Sequence, residues 1–362
     1  MSTFIIACGG TGGHLSPGIA LAEKLREDGH KCILITSQKR VDQELCQAYP
    51  ELPFIQFPGI GFSKNIFKWP RFFYLQIKNF LYSIHLIKTT QTDAVVGFGG
   101  FLNAGVIIAA FLQRKHCFLH EANYIPGKAV RFLSIFAKRI YLPEGVYLKN
   151  IFTKTVLSCG MPIRKEIQKI NQEKAKTQLN FSPHQKLVVV VGGSQGASRL
   201  NKWVIDHFEI LNNKNINVLC VTGLNKGKAH SMEKTNAEGI RTQVTFVPFC
   251  NQMHQLYSAA DLVISRAGAG TLAELAKCET PSIIIPYPHA AENHQLANAT
   301  HFEQRGCCLM LEQSNIDNLL NETLNLLENP KLLEKLSHNL KQLNQLDATN
   351  FLANDIESVL KA

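Results

Sequence analysis

Residues 4–14, which read FIIACGGTGGH, decide the fold of the first half of this chain. The run 4–7 is continuously apolar, which is typical of a strand buried on both faces of a parallel sheet. The glycines that follow allow positive φ angles and let a ligand approach main-chain N–H groups. The helix predicted beyond them offers unpaired amides and the positive end of its dipole. The segment therefore predicts a strand, a turn and a helix that together suit a phosphate or a developing anion.

A second segment of the same design begins at residue 187. Residues 187–196 read LVVVVGGSQG, again an apolar run followed by a glycine-rich turn. Both turns lie at the carboxyl ends of predicted strands, where open α/β sheets bind ligands. Strand, turn and helix patterns repeat around each of them, so we predict an α/β chain with two Rossmann-like, doubly wound parallel sheets.

A short segment with glycine and proline indicates the domain boundary. Residues 159–162 read CGMP, and a polar stretch over 165–186 leads into the second sheet, so we expect a hinge near 160–164. The predicted domains are 1–160 and 165–345. Leucine-rich helical patterns dominate the end of the chain, and their periodicity does not say which domain the final helix packs on.

Composition narrows the class of protein. The chain has 362 residues, 45% hydrophobic and 18% charged, which is enough for two folded domains and excludes disorder. Its ten cysteines form no C-x-x-C pair, which is typical of reduced thiols in a cytosol. We find no secretory leader pattern, and the longest apolar stretch, 104–112, is far shorter than the roughly 20 residues of a membrane span. We therefore expect an intracellular protein that does not cross a bilayer.

The formal net charge of +10 favours an anionic partner. Residues 63–88 interleave basic and aromatic side chains, a pattern shared by membrane-interface helices and ordinary amphipathic helices. No nucleic-acid-binding fingerprint is present, so no nucleic-acid partner is predicted. The candidates for contact with an anionic membrane surface are Phe67, Trp69, Phe72, Phe73, Lys64, Lys68 and Arg71.

His14, at the end of the first glycine-rich turn, is a candidate for chemistry. A neutral imidazole at a cleft mouth can accept a proton from a hydroxyl, and the alternative is a histidine that only caps the helix. Ser16 and Pro17 have the character of an N-cap and a first-turn proline, so the helix is predicted to begin just beyond His14. The turn has neither the lysine of a Walker loop nor the full spacing of a dinucleotide fingerprint.

A second candidate anion site follows a strand in the second half. Residues 265–271 read SRAGAGT and lead into a predicted helix that contains Glu274. Thr271 can donate its hydroxyl and amide to a phosphate. Glu274 can accept two ribose hydroxyls, or it is an ordinary first-turn helix acid. The amide of Gln295 suits a polyhydroxyl ligand, because it offers both a donor and an acceptor. No His, Cys, Asp or Glu residues have the spacing typical of a metal site.

Seven short segments stand in a fixed order along the chain: 9–18, 97–101, 120–123, 160–164, 192–197, 265–274 and 293–299. Together they resemble glycosyltransferase family 28, in the branch that adds N-acetylglucosamine to undecaprenyl-pyrophosphoryl-N-acetylmuramoyl-pentapeptide, or lipid I. The resemblance implies the GT-B architecture, two Rossmann-like domains facing across a cleft, with a final helix at about 346–362 packing back on the first domain. It also implies a peripheral enzyme on the cytoplasmic face of the cell membrane, with no cofactor.

The resemblance further implies where UDP-N-acetylglucosamine binds. Ser194 and Thr271 would lie near the diphosphate, Glu274 on the ribose and Gln295 on the sugar. The backbone around Cys250 and Ala269 would lie near the uracil. The full set implied in donor binding is Thr11, Gly12, Gly13, Asn123, Arg164, Ser194, Cys250, Ala269, Gly270, Thr271, Glu274 and Gln295.

The implied reaction is an inverting transfer, in which the 4-hydroxyl of lipid I attacks the anomeric carbon, UDP leaves and lipid II forms. His14 is implied as the base, and Glu121 shares or shapes that role. Other interpretations stay open: a different UDP-sugar enzyme of this architecture, either a glycolipid synthase or a UDP-N-acetylglucosamine epimerase, a nucleotide-sugar-binding protein without turnover, and a dinucleotide oxidoreductase.

Overall fold

In a computed structural model the chain forms two compact units, each built on a seven-stranded sheet. One unit comprises Met1–Arg164 with Leu346–Ala362, and the other comprises Lys165–Gln345. Of the residues named above, Thr11, Lys64 and Ser194 lie outside the residues that the structure describes. The described residues are 1–10, 12–59, 65–100, 102–148, 155–193, 196–224, 227–343 and 347–361.

The first unit alternates strands with helices along a fully parallel sheet. Its strand order is β3-β2-β1-β4-β5-β6-β7, so the direction of winding reverses between β1 and β4. The elements in chain order are β1 (Thr3–Ala7), α1 (Gly12–Glu27), β2 (Lys31–Ser37), α2 (Arg40–Gln47), β3 (Phe54–Phe57), α3 (Trp69–Thr89), β4 (Ala94–Gly97), α4 (Leu102–Leu112), β5 (His116–His120), α5 (Lys128–Leu133), β6 (Arg139–Leu142) and β7 (Val156–Ser158).

Both faces of this sheet are buried because successive strand residues point to opposite sides. Phe4 and Ile6 of β1 belong to an apolar cluster that includes residues of α1, whereas Ile5 and Ala7 belong to a cluster that includes residues of α4. Burial on both faces requires the continuous apolar run seen in the sequence. The predicted doubly wound parallel sheet is confirmed.

The start of α1 differs from the prediction. The helix begins at Gly12, so His14 lies in its first turn and Pro17 is its sixth residue. Ser16 is buried inside the helix and is not its N-cap. Gly10, with a φ of +117°, allows the chain to turn immediately after β1, and Pro17 removes only one backbone donor from the helix.

The second unit repeats the design with one antiparallel edge. Its strand order is β10-β11-β9-β8-β12-β13-β14, and all pairs are parallel except β10 with β11. The elements are α6 (Gln172–Gln178), β8 (Lys186–Val191), α7 (Ser198–Asn213), β9 (Ile216–Val221), β10 (His230–Thr235), β11 (Arg241–Val247), α8 (Met253–Ala259), β12 (Leu262–Ser265), α9 (Ala269–Cys278), β13 (Ser282–Ile284), α10 (His294–Gln304), β14 (Leu309–Met310), α11 (Leu319–Leu327) and α12 (Pro330–Leu343).

The final helix, α13 (Ala348–Lys361), belongs to the first unit. Leu352 and Ile356 are fully buried in the cluster that contains α1. Asp355 forms an ion pair with Arg139 and accepts a hydrogen bond from the hydroxyl of Tyr141 at 2.7 Å. Apolar packing and this polar contact with β6 together hold α13 on the first sheet.

Candidate active site

The first glycine-rich turn lies at the point where the winding of the first sheet reverses. Such switch points leave a crevice at the carboxyl ends of the strands, where open α/β sheets bind ligands. A Cβ on Gly9 would overlap the backbone of Thr36 and Ser37, so this position requires glycine. The chain therefore passes close against the end of β2 before it enters α1.

His14 is brought to the other side of the same crevice. A Cβ built on Gly100 would lie 3.4 Å from both Nδ1 and Cε1 of the His14 ring, and one on Gly99 would lie 3.5 Å from Nε2. Gly99 and Gly100 follow β4 and have φ angles of +88° and +81°. The structure thus unites two segments that are almost ninety positions apart in the sequence. It places a half-buried imidazole where an incoming hydroxyl could meet it.

Glu121 organises the loop that follows β5. Its Oε1 accepts hydrogen bonds from the backbone N–H of Asn123 at 3.0 Å and from the Asn123 side chain at 2.8 Å. Its Oε2 accepts one from the backbone N–H of Gly127 at 2.9 Å. A buried carboxylate with three donors is a loop anchor, so the geometry favours the shaping role over the role of a proton acceptor.

His120, to which the sequence assigned no separate role, is buried beside that loop. Its Nε2 lies 2.9 Å from the carbonyl oxygen of Gly160. This contact links the end of β5 to a residue four positions before the last residue of the unit's first segment, Arg164. Burial lowers the pKa of His120, although the hydrogen bond to Gly160 acts in the opposite direction. A neutral ring that donates from Nε2 to the carbonyl fits this environment.

Arg164 and the two small residues at the start of α1 have different surroundings. Arg164 is buried within the first unit, and its guanidinium donates to the hydroxyl of Tyr49 at 3.0 Å. Gly12 and Gly13 form the first turn of α1, where amides that lack an intrahelical partner can face an anion. That Gly12, Gly13 and Arg164 share UDP-N-acetylglucosamine as their ligand stays a prediction.

The second glycine-rich turn lies at the corresponding place in the second sheet, between β8 and α7. A Cβ on Gly196 would overlap the carbonyl oxygen of Thr222, and Gly196 has a φ of +70°, so only glycine fits there. Since β8 lies between β9 and β12, the turn is again beside the switch point of its sheet.

The turn between β12 and α9 completes that switch point. Helix α9 begins at Ala269, which places Ala269, Gly270 and Thr271 in its first turn with no acidic side chain among them. Such a helix start is suited to an anion. Glu274 is the sixth residue of α9 and is buried, so the interpretation of Glu274 as a first-turn acid is wrong.

Two residues without a predicted role hold this turn in place. Arg266 is buried and donates to the carbonyl oxygen of Ile285 at 3.1 Å and to the side chain of Gln313 at 2.6 Å. Asn298 donates from its side chain to the carbonyl oxygen of Ala267 at 3.1 Å. The sequence signal was available, since an arginine directly after a buried strand needs partners when it is buried itself.

The remaining donor candidates lie on neighbouring loops of the second unit. Oε1 of Gln295, near the start of α10, accepts a hydrogen bond from the backbone N–H of Tyr287 at 2.9 Å. Cys250 is half-buried just after β11. Across the described part of the chain, no group of three or more His, Cys, Asp or Glu side chains is arranged to hold a metal ion.

Most of the described residues predicted to face a membrane are exposed, and Phe72 is the exception. Phe67 is 87% exposed and Phe73 is 52% exposed, whereas Phe72 is only 8% exposed, so Phe72 is not a surface residue. The helical turn of α3 points Phe72 inward, where its ring meets the ring of Phe73 edge to face. Trp69, Lys68 and Arg71 are exposed, and α3 continues the apolar surface with Tyr74, Ile77, Leu81 and Tyr82. Among the residues described, none of the helices is long and apolar enough to span a bilayer.

Two Rossmann-like units in one chain, each with a glycine-rich turn beside its switch point, define a protein of the GT-B fold class. Family models agree along most of the length. The N-terminal domain model of glycosyltransferase family 28 matches residues 4–142, and the C-terminal domain model of the same family matches residues 187–351. The chain belongs to glycosyltransferase family 28.

Individual relatives cover the whole chain. It is 44% identical over 361 residues to the UDP-N-acetylglucosamine--N-acetylmuramyl-(pentapeptide) pyrophosphoryl-undecaprenol N-acetylglucosamine transferase of Opitutus terrae, covering 100% of this chain and 96% of the relative. A protein of the same name from Thermoanaerobacter sp. is 32% identical over 98% of this chain and 99% of its own. The sequence-based identification of the family is confirmed.

Solved structures share the fold at lower identity. MurG of Acinetobacter baumannii superposes with a TM-score of 0.72 at 23% identity, covering 99% of both chains. A protein described as a UDP-N-acetylglucosamine 2-epimerase from Listeria monocytogenes superposes with a TM-score of 0.71 at 13% identity, covering 99% of this chain and 96% of its own. These likenesses show the GT-B fold, which enzymes of different chemistry share.

Proposed function

We propose that this glycosyltransferase transfers N-acetylglucosamine from UDP-N-acetylglucosamine to the 4-hydroxyl of the N-acetylmuramoyl group of lipid I, which gives lipid II. The observation that carries the proposal is the 44% identity over the full length to a transferase named for that reaction. An assignment based on fold alone would not separate it from an epimerase, since both occur on this architecture.

The proposed chemistry is a single displacement at the anomeric carbon. The acceptor oxygen forms a bond to that carbon on the face opposite UDP, while the bond to the diphosphate breaks and UDP leaves with the electron pair. The hydroxyl proton passes to His14, whose neutral imidazole can take it directly. Inversion then converts the α-linked donor into a β-1,4-linked product.

The negative charge that develops on the leaving diphosphate needs donors that are already in position. The first turn of α9, with Ala269, Gly270 and Thr271, supplies main-chain N–H groups and the positive end of a helix dipole. We assign the diphosphate to this helix start and to the turn after β8. Glu274 is assigned to the ribose and Gln295 to the sugar, and these remain proposals.

We further propose that the enzyme works as a peripheral protein on the cytoplasmic face of the cell membrane. The support is the exposed surface formed by the 3₁₀ turn Ile66–Lys68 and by α3, where Phe67, Phe73 and Ile77 alternate with Lys68 and Arg71. Aromatic side chains suit the headgroup region, and basic side chains suit anionic lipids. Such a surface would bring the enzyme to the membrane, where its lipid-linked acceptor is located.

The test is UDP release from UDP-N-acetylglucosamine by the wild type and by His14→Ala, with and without a short-chain lipid I analogue, in the presence of a chelator. We expect release that requires the lipid and falls by roughly 10²- to 10⁴-fold in the variant, while UDP binding measured by calorimetry is retained. Release without acceptor would favour an epimerase, and binding without any release would favour a sugar-nucleotide sensor. Oxidation or reduction of a nicotinamide cofactor would favour an oxidoreductase.

A further inference from the structure

One buried carboxylate holds the first glycine-rich turn, and no sequence motif pointed to it. Asp42 lies in the first turn of α2 and is fully buried. Its Oδ2 accepts a hydrogen bond from the backbone N–H of Gly10 at 2.8 Å. The same oxygen accepts from the backbone N–H of Ser37 at 3.2 Å and from the Ser37 hydroxyl at 2.5 Å. A single oxygen therefore ties the turn after β1 to the end of β2.

The other side of the same turn is held as well. The Lys39 ammonium donates to the carbonyl oxygen of Gly10 at 2.6 Å, so Gly10 has both its N–H and its C=O engaged by charged side chains. Hydrogen bonds that involve a charged group are shorter and stronger than neutral ones. Gly10 has a φ of +117°, a conformation that is open to glycine and that residues with a side chain rarely adopt.

The burial of Asp42 is costly, which argues for a specific role. Its second oxygen, Oδ1, is buried and accepts no hydrogen bond from any described residue. An unsatisfied buried acceptor lowers stability, and burying a carboxylate adds a large desolvation cost. Three donors converge on Oδ2, and hydrogen bonds to a charged acceptor are stronger than neutral ones, so the carboxylate contributes to holding this turn.

The turn fixed by Asp42 leads directly into the first turn of α1. Only four positions separate Gly10 from His14, and α1 begins between them at Gly12. The His14 ring packs against Gly99 and Gly100 with no side chain between them. A shift of the turn by a fraction of an ångström therefore moves the imidazole relative to the crevice, and displacements of about 1 Å can cost about a hundredfold in rate.

We propose that Asp42 is a positioning residue for the reaction, because it fixes the turn at Gly9 and Gly10 and thereby sets the position of the His14 imidazole. This inference rests on the proposed function, in which His14 takes the proton of the acceptor hydroxyl. Asp42 touches neither substrate, and its effect reaches the reaction only through the turn.

The test compares Asp42→Ala with a control at Asp93, an exposed aspartate that holds the opposite end of β1. Asp93 accepts a hydrogen bond from the backbone N–H of Thr3 at 2.8 Å, which is the same kind of contact at the opposite end of β1. We expect Asp42→Ala to lower kcat by about tenfold to a hundredfold with unchanged affinity for UDP, and Asp93→Ala to leave kcat unchanged. An equal loss of kcat in both variants would overturn the inference.

A double-mutant cycle separates positioning from a general loss of structure. If Asp42 acts through His14, then Asp42→Ala should cause no further loss of kcat in a protein that already carries His14→Ala. Losses that multiply would show that Asp42 acts independently of the imidazole. Asp42→Asn keeps an oxygen for Gly10 and lacks the charge, so it should retain more activity than Asp42→Ala. It also serves as the folded comparison if Asp42→Ala loses its thermal transition.

Hydrogen exchange tests the same inference without turnover. The amide of Gly10 should exchange faster in Asp42→Ala and Asp42→Asn than in the wild type, and its rate should not change in Asp93→Ala. Unchanged exchange in the Asp42 variants would overturn the inference whatever the enzyme does. If Gly10 exchanges faster in the Asp42 variants but the wild type transfers no N-acetylglucosamine, the result counts against the proposed function and not against the hold of Asp42 on the turn.

Discussion

His14 and Gly100 meet at the switch point of the first sheet, where an added Cβ on Gly100 would lie 3.4 Å from Nδ1 and Cε1 of the imidazole. β1 leads into the segment that carries His14, and its neighbour β4 leads into the segment that carries Gly100. The ring packs closely here because Gly100 has no side chain and has a φ of +81°. The relationship can be tested because the chain offers a glycine with the same conformation and open surroundings.

Gly100→Ala is expected to lower both stability and turnover, whereas Gly145→Ala lowers stability alone. Gly145 has a φ of +78°, similar to that of Gly100, but a Cβ there would meet nothing within 4 Å. The left-handed conformation costs a side-chain-bearing residue about 1–2 kcal/mol at either position. Only at Gly100 would the new methyl touch the His14 ring, at the 3.4 Å of an ordinary van der Waals contact, so a backbone shift that relieves the φ strain there displaces the imidazole and we expect kcat to fall several-fold. The measurements are thermal unfolding and lipid-dependent UDP release, and equal kcat in both variants would contradict the prediction.

Glu121→Ala is expected to lower the free energy of unfolding, because the loop after β5 loses the acceptor of three hydrogen bonds. Three half-buried donors from Asn123 and Gly127 lose their acceptor, and because water can reach them in part, each costs less than the about 1–3 kcal/mol of a fully buried donor. Glu121→Gln keeps one carbonyl oxygen and should fall between the wild type and Glu121→Ala in urea unfolding. Glu51→Ala, at an exposed position, is the control and should unfold like the wild type. A Glu121→Ala variant as stable as this control would show that the carboxylate does not anchor the loop.

Neutralising Lys68 and Arg71 together is expected to weaken binding to anionic vesicles. Each basic side chain near such a surface contributes about 1 kcal/mol, so the double Gln variant should bind about 30-fold more weakly at low salt. Lys331 and Lys335 are exposed on α12 of the second unit, and their double Gln variant removes the same charge as a control. Binding measured by vesicle sedimentation should respond only to the first pair. Equal loss in both would point to net charge instead of the surface of α3.

Replacing Phe72 should have a different consequence from replacing Phe67. Because Phe72 is buried, Phe72→Ala is expected to lower the free energy of unfolding by about 3 kcal/mol and to leave vesicle binding of the folded protein unchanged. Phe67→Ser should weaken vesicle binding with little change in unfolding. A reversed pattern, seen by calorimetry and sedimentation, would place the membrane-facing side of α3 elsewhere.

The stability of the first unit is expected to fall as the solution becomes acidic below about pH 6.5, the ordinary pKa of histidine. Burial lowers the pKa of His120, so the unfolded chain binds a proton that the folded protein does not. The stabilising difference is complete above the unfolded pKa and is lost as the pH falls toward the folded pKa. His120→Asn should therefore show a smaller drop in Tm between pH 7.5 and pH 5 than the wild type.

His301 provides a comparison for that pH dependence in the second unit. Burial and the neighbouring Arg305 lower its pKa to about 4, so its effect has the same sign as that of His120. His301→Gln should reduce the acid sensitivity that remains in His120→Asn. If neither variant changes the slope of Tm against pH, these histidines do not govern acid stability.

Local patterns in the sequence predicted much of the fold and part of the site. The apolar runs before both glycine-rich turns could be interpreted directly as buried strands, because a strand covered on both faces allows few polar residues. The edge strand β10 was missed because all of its residues are exposed, so it carries no apolar pattern. The start of α1 was predicted too late because a serine followed by a proline is typical of a helix N-terminus. In the structure this pair lies inside a helix that begins at Gly12.

What the sequence by itself determined is the repeated strand, turn and helix order, the family, and the residue types at each turn, because these depend on short-range pattern. Tertiary structure alone decided that His14 packs on Gly100, that Asp42 holds Gly10 and that Phe72 faces inward, whereas the family resemblance had already implied that α13 packs on the first unit. These contacts join residues from separate elements, and the strand order that brings them together follows from how whole faces are buried. No local propensity encodes that burial, since it is a property of the packed sheet and of its helices.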